Sequence, residues 1–262
     1  MELSMIDILL QRVDLFLLIF MRVTGIFLIA PIYSNENAPI PSRIGLVALI
    51  SLLLLPIVGS TAIISADQWS TFTYYAVQEI LIGLSIGFVG AIYFSVSTLA
   101  GTLLDRQTGL ALANAIDPLT DTEVPMLGNF YNILFLFLFL GVNGHHIFIR
   151  ALTDSYELLP IGYTISMTDD LLRLMIVYFR DIMILAFILS TPVVVTSFLA
   201  NVVLGIFAKT MPQINVFVVG MPLRIVIGML TIWITMQALL PFSEGFFDRI
   251  FLGIYQMIRL LS

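Results

Sequence analysis

The chain contains no cysteine, only two histidines and only one lysine among its 262 residues. Without cysteine it can form neither disulfides nor thiolate metal sites. His145 and His146 are adjacent, so on a helix they face different directions, and neither has a carboxylate at position i+4. We therefore expect no metal site and no cofactor. The net charge of −6 and the lack of a basic cluster argue against nucleic-acid binding.

What the chain has in excess is apolar residues, which make up 60% of it and give a mean hydropathy of +1.06. A run of about 18 or more apolar residues can cross the hydrocarbon core as a helix. The runs without charge are 44–66, 80–104, 124–149, 182–208 and 225–243, and the run 15–33 contains only Arg22. The sequence predicts an all-α integral membrane protein of about six kinked helical segments in one domain over 1–262.

A polar segment interrupts these runs between residues 101 and 118. It is rich in small residues and ends in the Asp117-Pro118 pair, which disfavours further helix. At membrane depth, polar backbone persists only where protein buries it or where it lines a water-filled cavity. The segment is thus a candidate pore lining or gate, and a surface loop between two helices is the alternative. The candidate residues are Asp105, Arg106, Gln107, Gly109, Leu110, Leu112, Ile116 and Asp117.

Small residues recur every fourth position in the run 80–104, at Gly83, Gly87, Ala91 and Ser95. On a helix they form one narrow face, and such faces allow close approach of a second helix in membranes. The partner helix could belong to this chain or to another one. Residues 83–87 also match the GxSxG motif of hydrolases, but that motif needs a strand before its serine. We therefore predict no catalytic residue here.

Two charges lie within apolar stretches, Arg22 and Glu79. Intramembrane charges are costly and are usually paired or functional. Either residue has two interpretations: a functional group, or a structural charge that pairs with a neighbouring helix or reaches an interface.

Five groups of residues, in this order along the chain, carry a family resemblance. They are Arg22-x-x-Gly25 with Ala30-Pro31; Glu79-x-x-x-Gly83-x-x-x-Gly87; Asp105-x-Gln107-x-Gly109 with Asp117-Pro118; Gly144-His145 with Ser155 and Leu159-Pro160-Ile-Gly162; and Asn201-x-x-Leu-Gly205 with Met211-Pro-Gln-Ile-Asn-Val-Phe217. Together they resemble the FliR family of flagellar type III export-gate proteins, whose injectisome relatives are called SctT.

The resemblance implies a non-enzymatic subunit of a secretion pore in the bacterial inner membrane, within the flagellar basal body. It implies helical segments arranged as hairpins, in a fold like a FliP-like part joined to a FliQ-like part. The expected partners are FliP-like and FliQ-like gate subunits, FlhB-like and FlhA-like export proteins, and unfolded protein substrates in transit. The family places a plug loop in the channel at the segment around Asp105 to Glu123.

Three alternatives accompany this interpretation. An injectisome gate of the SctT type would share the resemblance. A secondary transporter with broken helices would use an ion-binding carboxylate such as Glu79, but it predicts an inverted repeat, and the sequence contains none that we detect. An intramembrane hydrolase lacks a defensible catalytic set.

Overall fold

A computed structural model describes residues 13–31, 39–58, 69–111, 125–164, 169–211, 213 and 215–262. Within these ranges the chain forms seven α-helices and no strand. The helices are α1 (Val13–Ile29), α2 (Ile40–Val58), α3 (Trp69–Thr108), α4 (Met126–Gly141), α5 (Gly144–Leu158), α6 (Asp169–Thr210) and α7 (Val216–Leu261). The prediction of an all-α protein is confirmed.

Four of the described helices, α2, α3, α6 and α7, are long and apolar enough to cross a membrane. The count rises to five if α4 and α5 together form one bent span. The predicted membrane character is thus confirmed. The run 124–149, expected as one segment, is divided between α4 and α5 because Asn143 adopts a left-handed conformation with φ of 57°. Asparagine is one of the few non-glycine residues that visit this region readily.

The chain divides into two compact units. The first comprises residues 1–93, 143–177 and 248–262, and the second comprises residues 94–142 and 178–247. In the first unit α1 packs against α2. The interior of this unit includes Leu18, Ile19, Val23, Ile82 and Ile86, all buried. The single domain expected over 1–262 remains a prediction.

The second unit has an aromatic core. Phe94 of α3, Phe135 and Phe139 of α4, and Phe246 and Phe247 of α7 are all buried there. Their ring centroids lie between 5.1 and 6.4 Å apart, and most pairs meet edge to face. Aromatic pairs in this geometry contribute beyond the area they bury. The cluster therefore joins three helices within the unit.

Candidate functional site

A buried ion pair lies in the first unit, between Arg22 of α1 and Glu79 of α3. Arg22 Nε donates to Glu79 Oε2 at 2.6 Å, and Nη2 donates to Oε1 at 3.0 Å. Arg22 is 0% exposed and Glu79 is 2% exposed. Such a bidentate pair combines charge assistance with fixed geometry. The two intramembrane charges singled out in the sequence thus neutralise each other.

The end of α5 satisfies most of the remaining donors of Arg22. Nη1 donates to Ser155 Oγ at 3.0 Å, and Nη2 donates to the carbonyl of Leu159 at 2.9 Å. Leu159 is the C-terminal cap residue of α5, where helix carbonyls lack intrahelical partners. The guanidinium carbon also lies 4.0 Å from the ring centroid of Tyr156, in cation–π contact. One arginine therefore ties three helices together.

Sequence analysis did not identify Ser155, Tyr156 and Leu159 as partners of Arg22. Ser155 is 133 residues away along the chain, and helix packing alone brings it to the guanidinium. The available signal was weak: Ser155 and Leu159 belong to one of the groups that carry the family resemblance, but that resemblance assigned them no role.

Close helix contact surrounds the ion pair. A Cβ atom added at Gly87 would lie 2.9 Å from the carbonyl oxygen of Ile26, and one added at Gly25 would lie 2.6 Å from that of Ile80. A Cβ at Gly83 would overlap the carbonyl oxygen of Arg22. The backbones of α1 and α3 therefore approach so closely that no side chain fits at these positions.

The four residues of the small-residue face are placed differently. Gly83 and Gly87 lie against α1 of the same unit. Ala91 and Ser95, farther along α3, are half-buried. Since Gly83 follows Glu79 by one helical turn, the glycine contact and the ion pair form one continuous site. We name this site the α1–α3 clamp; it consists of Arg22, Gly25, Glu79, Gly83 and Gly87.

A second arrangement lies in the other unit, where α3 ends and α4 begins. The two carboxylate oxygens of Asp105 accept hydrogen bonds from the backbone N–H of Leu127 at 3.1 and 3.2 Å. Leu127 is in the first turn of α4, and Pro125, the N-cap residue, provides no side-chain cap. Asp105 therefore takes the role of an N-cap from a different helix, with its charge at the favourable end of the helix dipole.

Glycine allows the same helix ends to meet. A Cβ added at Gly101 would overlap the backbone of Gly128. Gly109, just after the end of α3, has φ of +82°, the left-handed conformation typical of a glycine that terminates a helix. The end of α3 and the start of α4 therefore lie side by side.

The structure describes only part of the candidate pore segment. The last turns of α3 contain Asp105, Arg106 and Gln107. Asp105 is buried, Arg106 is exposed and Gln107 is half-buried. Leu112, Ile116 and Asp117 lie outside the described residues. An apolar cavity of about 500 Å³ lies between Leu110, just after α3, and the start of α4. Its lining residues are Leu110, Met126, Leu127, Phe130, Ile225, Met229, Ile232, Trp233 and Met236.

The contacts at these sites are an ion pair, hydrogen bonds and close helix packing. Within the described ranges there is no group of three or more His, Cys, Asp or Glu side chains that would hold a metal. The Ser85 hydroxyl donates to the carbonyl of Leu81 within α3, an ordinary bond for serine in a membrane helix.

Comparison with known proteins gives a consistent result. The sequence profile of "Bacterial export proteins, family 1" matches residues 13–250. The "Flagellar biosynthetic protein FliR" of Bacillus subtilis (strain 168) is 30% identical over 235 residues, 89% of this chain and 90% of that protein. The protein of the same name from Escherichia coli (strain K12) is 30% identical over 88% of this chain and 87% of its own length. The "Yop proteins translocation protein T" of Yersinia pestis is 28% identical over 86% of this chain and 87% of its own length.

Proposed function

Because this chain belongs to the bacterial export proteins, family 1, we propose that it is a membrane-embedded subunit of a type III export gate. The gate would pass unfolded flagellar proteins and would thus be needed for flagellum assembly. The observation that carries the proposal is the family match over residues 13–250, together with relatives named as flagellar biosynthetic proteins.

The length of the helices supports an assembly with other protein subunits. α6 and α7 contain 42 and 46 residues. At about 1.5 Å per residue they are roughly 63 and 69 Å long, about twice the thickness of the hydrocarbon core. Exposed apolar side chains extend along α6 from Leu172, 66% exposed, to Phe207, 51% exposed. Lipid tails cannot cover an apolar surface of that length, so other subunits are needed to cover the rest.

The partners in this proposal are FliP-like and FliQ-like subunits in a hetero-oligomer, with FlhB-like and FlhA-like export proteins nearby. The location is the bacterial inner membrane, within the flagellar basal body. In this setting the α1–α3 clamp would hold the first unit rigid. The half-buried Ala91 and Ser95 would continue the small-residue face toward a neighbouring hairpin or subunit.

The segment from Asp105 to Pro118 is the proposed plug of the closed gate. Asp105 and the Gly101–Gly128 contact fix the ends of the connection, and a fixed base is what a short obstructing loop requires. Leu110, Leu112 and Ile116 would supply the bulk that blocks the lumen, and Arg106, Gln107 and Asp117 would keep its ends hydrated. A hydrophobic constriction of this kind seals by excluding water.

A deletion strain tests the proposal. Loss of the chain should abolish secretion of hook and filament proteins, and the wild-type chain supplied in trans should restore it. A tagged chain purified gently should bring other small helical membrane proteins with it in a large complex. Secretion that persists in the deletion strain, or recovery of the chain only as a monomer or homodimer, would refute the assignment.

The proposed subunit has no catalytic activity of its own. The sequence contains no GxxxxGK[ST] nucleotide loop. The purified chain should therefore not hydrolyse ATP, and the gate would depend on energy supplied by other components. ATP hydrolysis by the purified chain that tracks its concentration would overturn this part of the proposal.

An injectisome gate is the second candidate, since the Yersinia pestis relative is named for translocation of Yop proteins. The two uses can be separated by what is lost on deletion. Loss of filaments with unchanged secretion of other proteins supports the flagellar assignment, whereas the opposite pattern supports the injectisome.

A further inference from the structure

The hairpin formed by α6 and α7 has an unusual distribution of charge. Between Asp181 and Glu244 the sequence contains only two charged residues, Lys209 and Arg224, and both are positive. Lys209 lies in the last turn of α6 and is exposed. Arg224 lies eight residues into α7, about 12 Å from its first residue. Between Asp181 and Glu244 the hairpin therefore carries an arginine within an apolar helix and no acidic residue to neutralise it.

The register of the two helices brings polar residues of α6 to the level of Arg224 in α7. Thr231 Oγ1 donates to Thr196 Oγ1 at 3.1 Å, and the side chain of Leu204 lies against Gly220, 3.2 Å from where its Cβ would be. These contacts run antiparallel, so Asn201 is level with Arg224. Ser197 lies one turn away on the same helix as Asn201.

These three side chains have hydrogen-bonding capacity that the described part of the chain does not use. Ser197 Oγ, Asn201 Oδ1 and Arg224 Nε are buried atoms without a hydrogen-bond partner there. Ser197 is 0% exposed. The ion pairs of the described residues involve Arg22, Arg173 and Arg180, not Arg224. Burying a polar atom without a partner is costly, and the half-buried Arg224 also holds its charge within an apolar stretch of α7.

The surroundings of Arg224 suggest what completes the site. The neighbouring residues Met221, Leu223 and Val226 are apolar and exposed. A carboxylate is the group that best fits a guanidinium, since two parallel N–H···O bonds can form. Recognition of anionic lipid usually relies on a cluster of basic residues, and Arg224 has no basic neighbour within reach on its helix.

We propose that Arg224, together with Asn201 and Ser197, binds an aspartate or glutamate on an apolar helix of another gate subunit and thereby sets the register of that helix against the α6–α7 hairpin. Asn201 Oδ1 would accept from Arg224 Nε and orient the guanidinium. The remaining N–H groups would bind the incoming carboxylate. The inference rests on the proposed function, because it requires a multi-subunit gate.

The test uses the whole gate, purified through a tag on this chain. Arg224→Glu should lower the recovery of co-purifying subunits about ten-fold or more, since two negative charges would then face each other in place of an ion pair. Arg224→Gln should act in the same direction. Lys209→Glu is the matched control, because it reverses the other charge of the hairpin at an exposed position; it should leave recovery unchanged. The amount of each variant found in the membrane fraction shows whether it inserts. If Arg224→Glu does not insert, the recovery of subunits with Arg224→Gln provides the test.

Revertants of Arg224→Glu that restore motility identify the partner. The expected second-site change replaces an acidic residue of another subunit with lysine or arginine. Revertants at Asp117, Asp121 or Glu123 of this chain would overturn the inference, since the counter-ion would then be internal. Normal recovery of the complex with Arg224→Glu, or dependence of recovery on anionic lipid alone, would do the same. A wild-type chain that recovers no other subunit would instead refute the proposed function itself.

Discussion

Arg22 is a fully charged side chain enclosed by apolar helices, and its neighbours explain how the chain tolerates it. Two bonds to Glu79, one to Ser155 and one to the carbonyl of Leu159 use four of its five N–H groups. A buried pair of this kind does not by itself add much stability, because both ions lose their hydration. Removal of one partner is different, since it leaves an uncompensated buried charge.

We expect Glu79→Gln to destabilise the chain by about 3–5 kcal/mol, because Arg22 would remain buried without its counter-ion. The measurement is the free energy of unfolding, or the thermal unfolding temperature, of the purified protein in mild detergent. The double variant Arg22→Met with Glu79→Leu is the control; it removes both charges and should be close to wild type. Wild-type stability of Glu79→Gln would show that the pair is not a determinant of the fold.

At the scale of the helices, α1 and α3 depend on the absence of side chains where they meet. The nearest atoms to a Cβ at Gly87 belong to the backbone of Ile26, at 2.9 and 3.2 Å, so no rotamer change can make room. Small residues are what permit such an approach in membranes, where lipid supplies no hydrophobic drive for association.

Gly87→Leu should therefore separate α1 from α3 and destabilise the chain by about 1–3 kcal/mol, as overpacking does elsewhere. The gate complex should fail to assemble even though the chain inserts. Thermal unfolding and the yield of the complex are the two measurements. Gly45→Leu is the control for stability, since nothing lies within 4 Å of its Cβ position. Normal yield and stability of Gly87→Leu would show that the close approach is dispensable.

The connection between α3 and α4 belongs to the same scale. Deletion of Gly109 to Ala115 should leave the complex assembled, because Asp105 and Leu127 still hold the two helix ends together. If the segment is the plug, membranes that contain the shortened gate should become more permeable to ions or small solutes. Ion flux into vesicles measures this. An assembled gate as tight as wild type would return the segment to an ordinary connecting loop.

At the scale of the whole molecule, the exposed apolar surface along α6 and α7 predicts a strong dependence on partners. Binding to the folded state stabilises it by mass action, by about 2.7 kcal/mol when the partner is at 100 times its Kd. We expect the chain to unfold at a clearly higher temperature, and to resist protease longer, when partner subunits are co-expressed. Co-expression of an unrelated helical membrane protein is the control. Equal stability in both cases would mean that lipid or detergent covers this surface adequately.

Sequence alone determined the class of the molecule and some of its local geometry. Apolar runs specify membrane helices because helix formation and burial in lipid depend on residues close together in the chain. The four-residue spacing of Gly83 and Gly87 likewise follows from the helical period. The same local logic failed at Asn143, whose left-handed backbone divides an unbroken apolar run into α4 and α5.

Only the tertiary structure decided which distant groups meet. Glu79 is 57 residues from Arg22, and Ser155 is 133 residues from it. Asp105 of α3 caps the start of α4 at Leu127, 22 residues later in the chain. Each of these partners could equally have faced water, lipid or another subunit, since periodicity assigns a residue to a helix face but not to the helix that covers it. Packing of α1, α3 and α5 makes that choice, because close glycine contact brings the Arg22 guanidinium within reach of the Glu79 carboxylate.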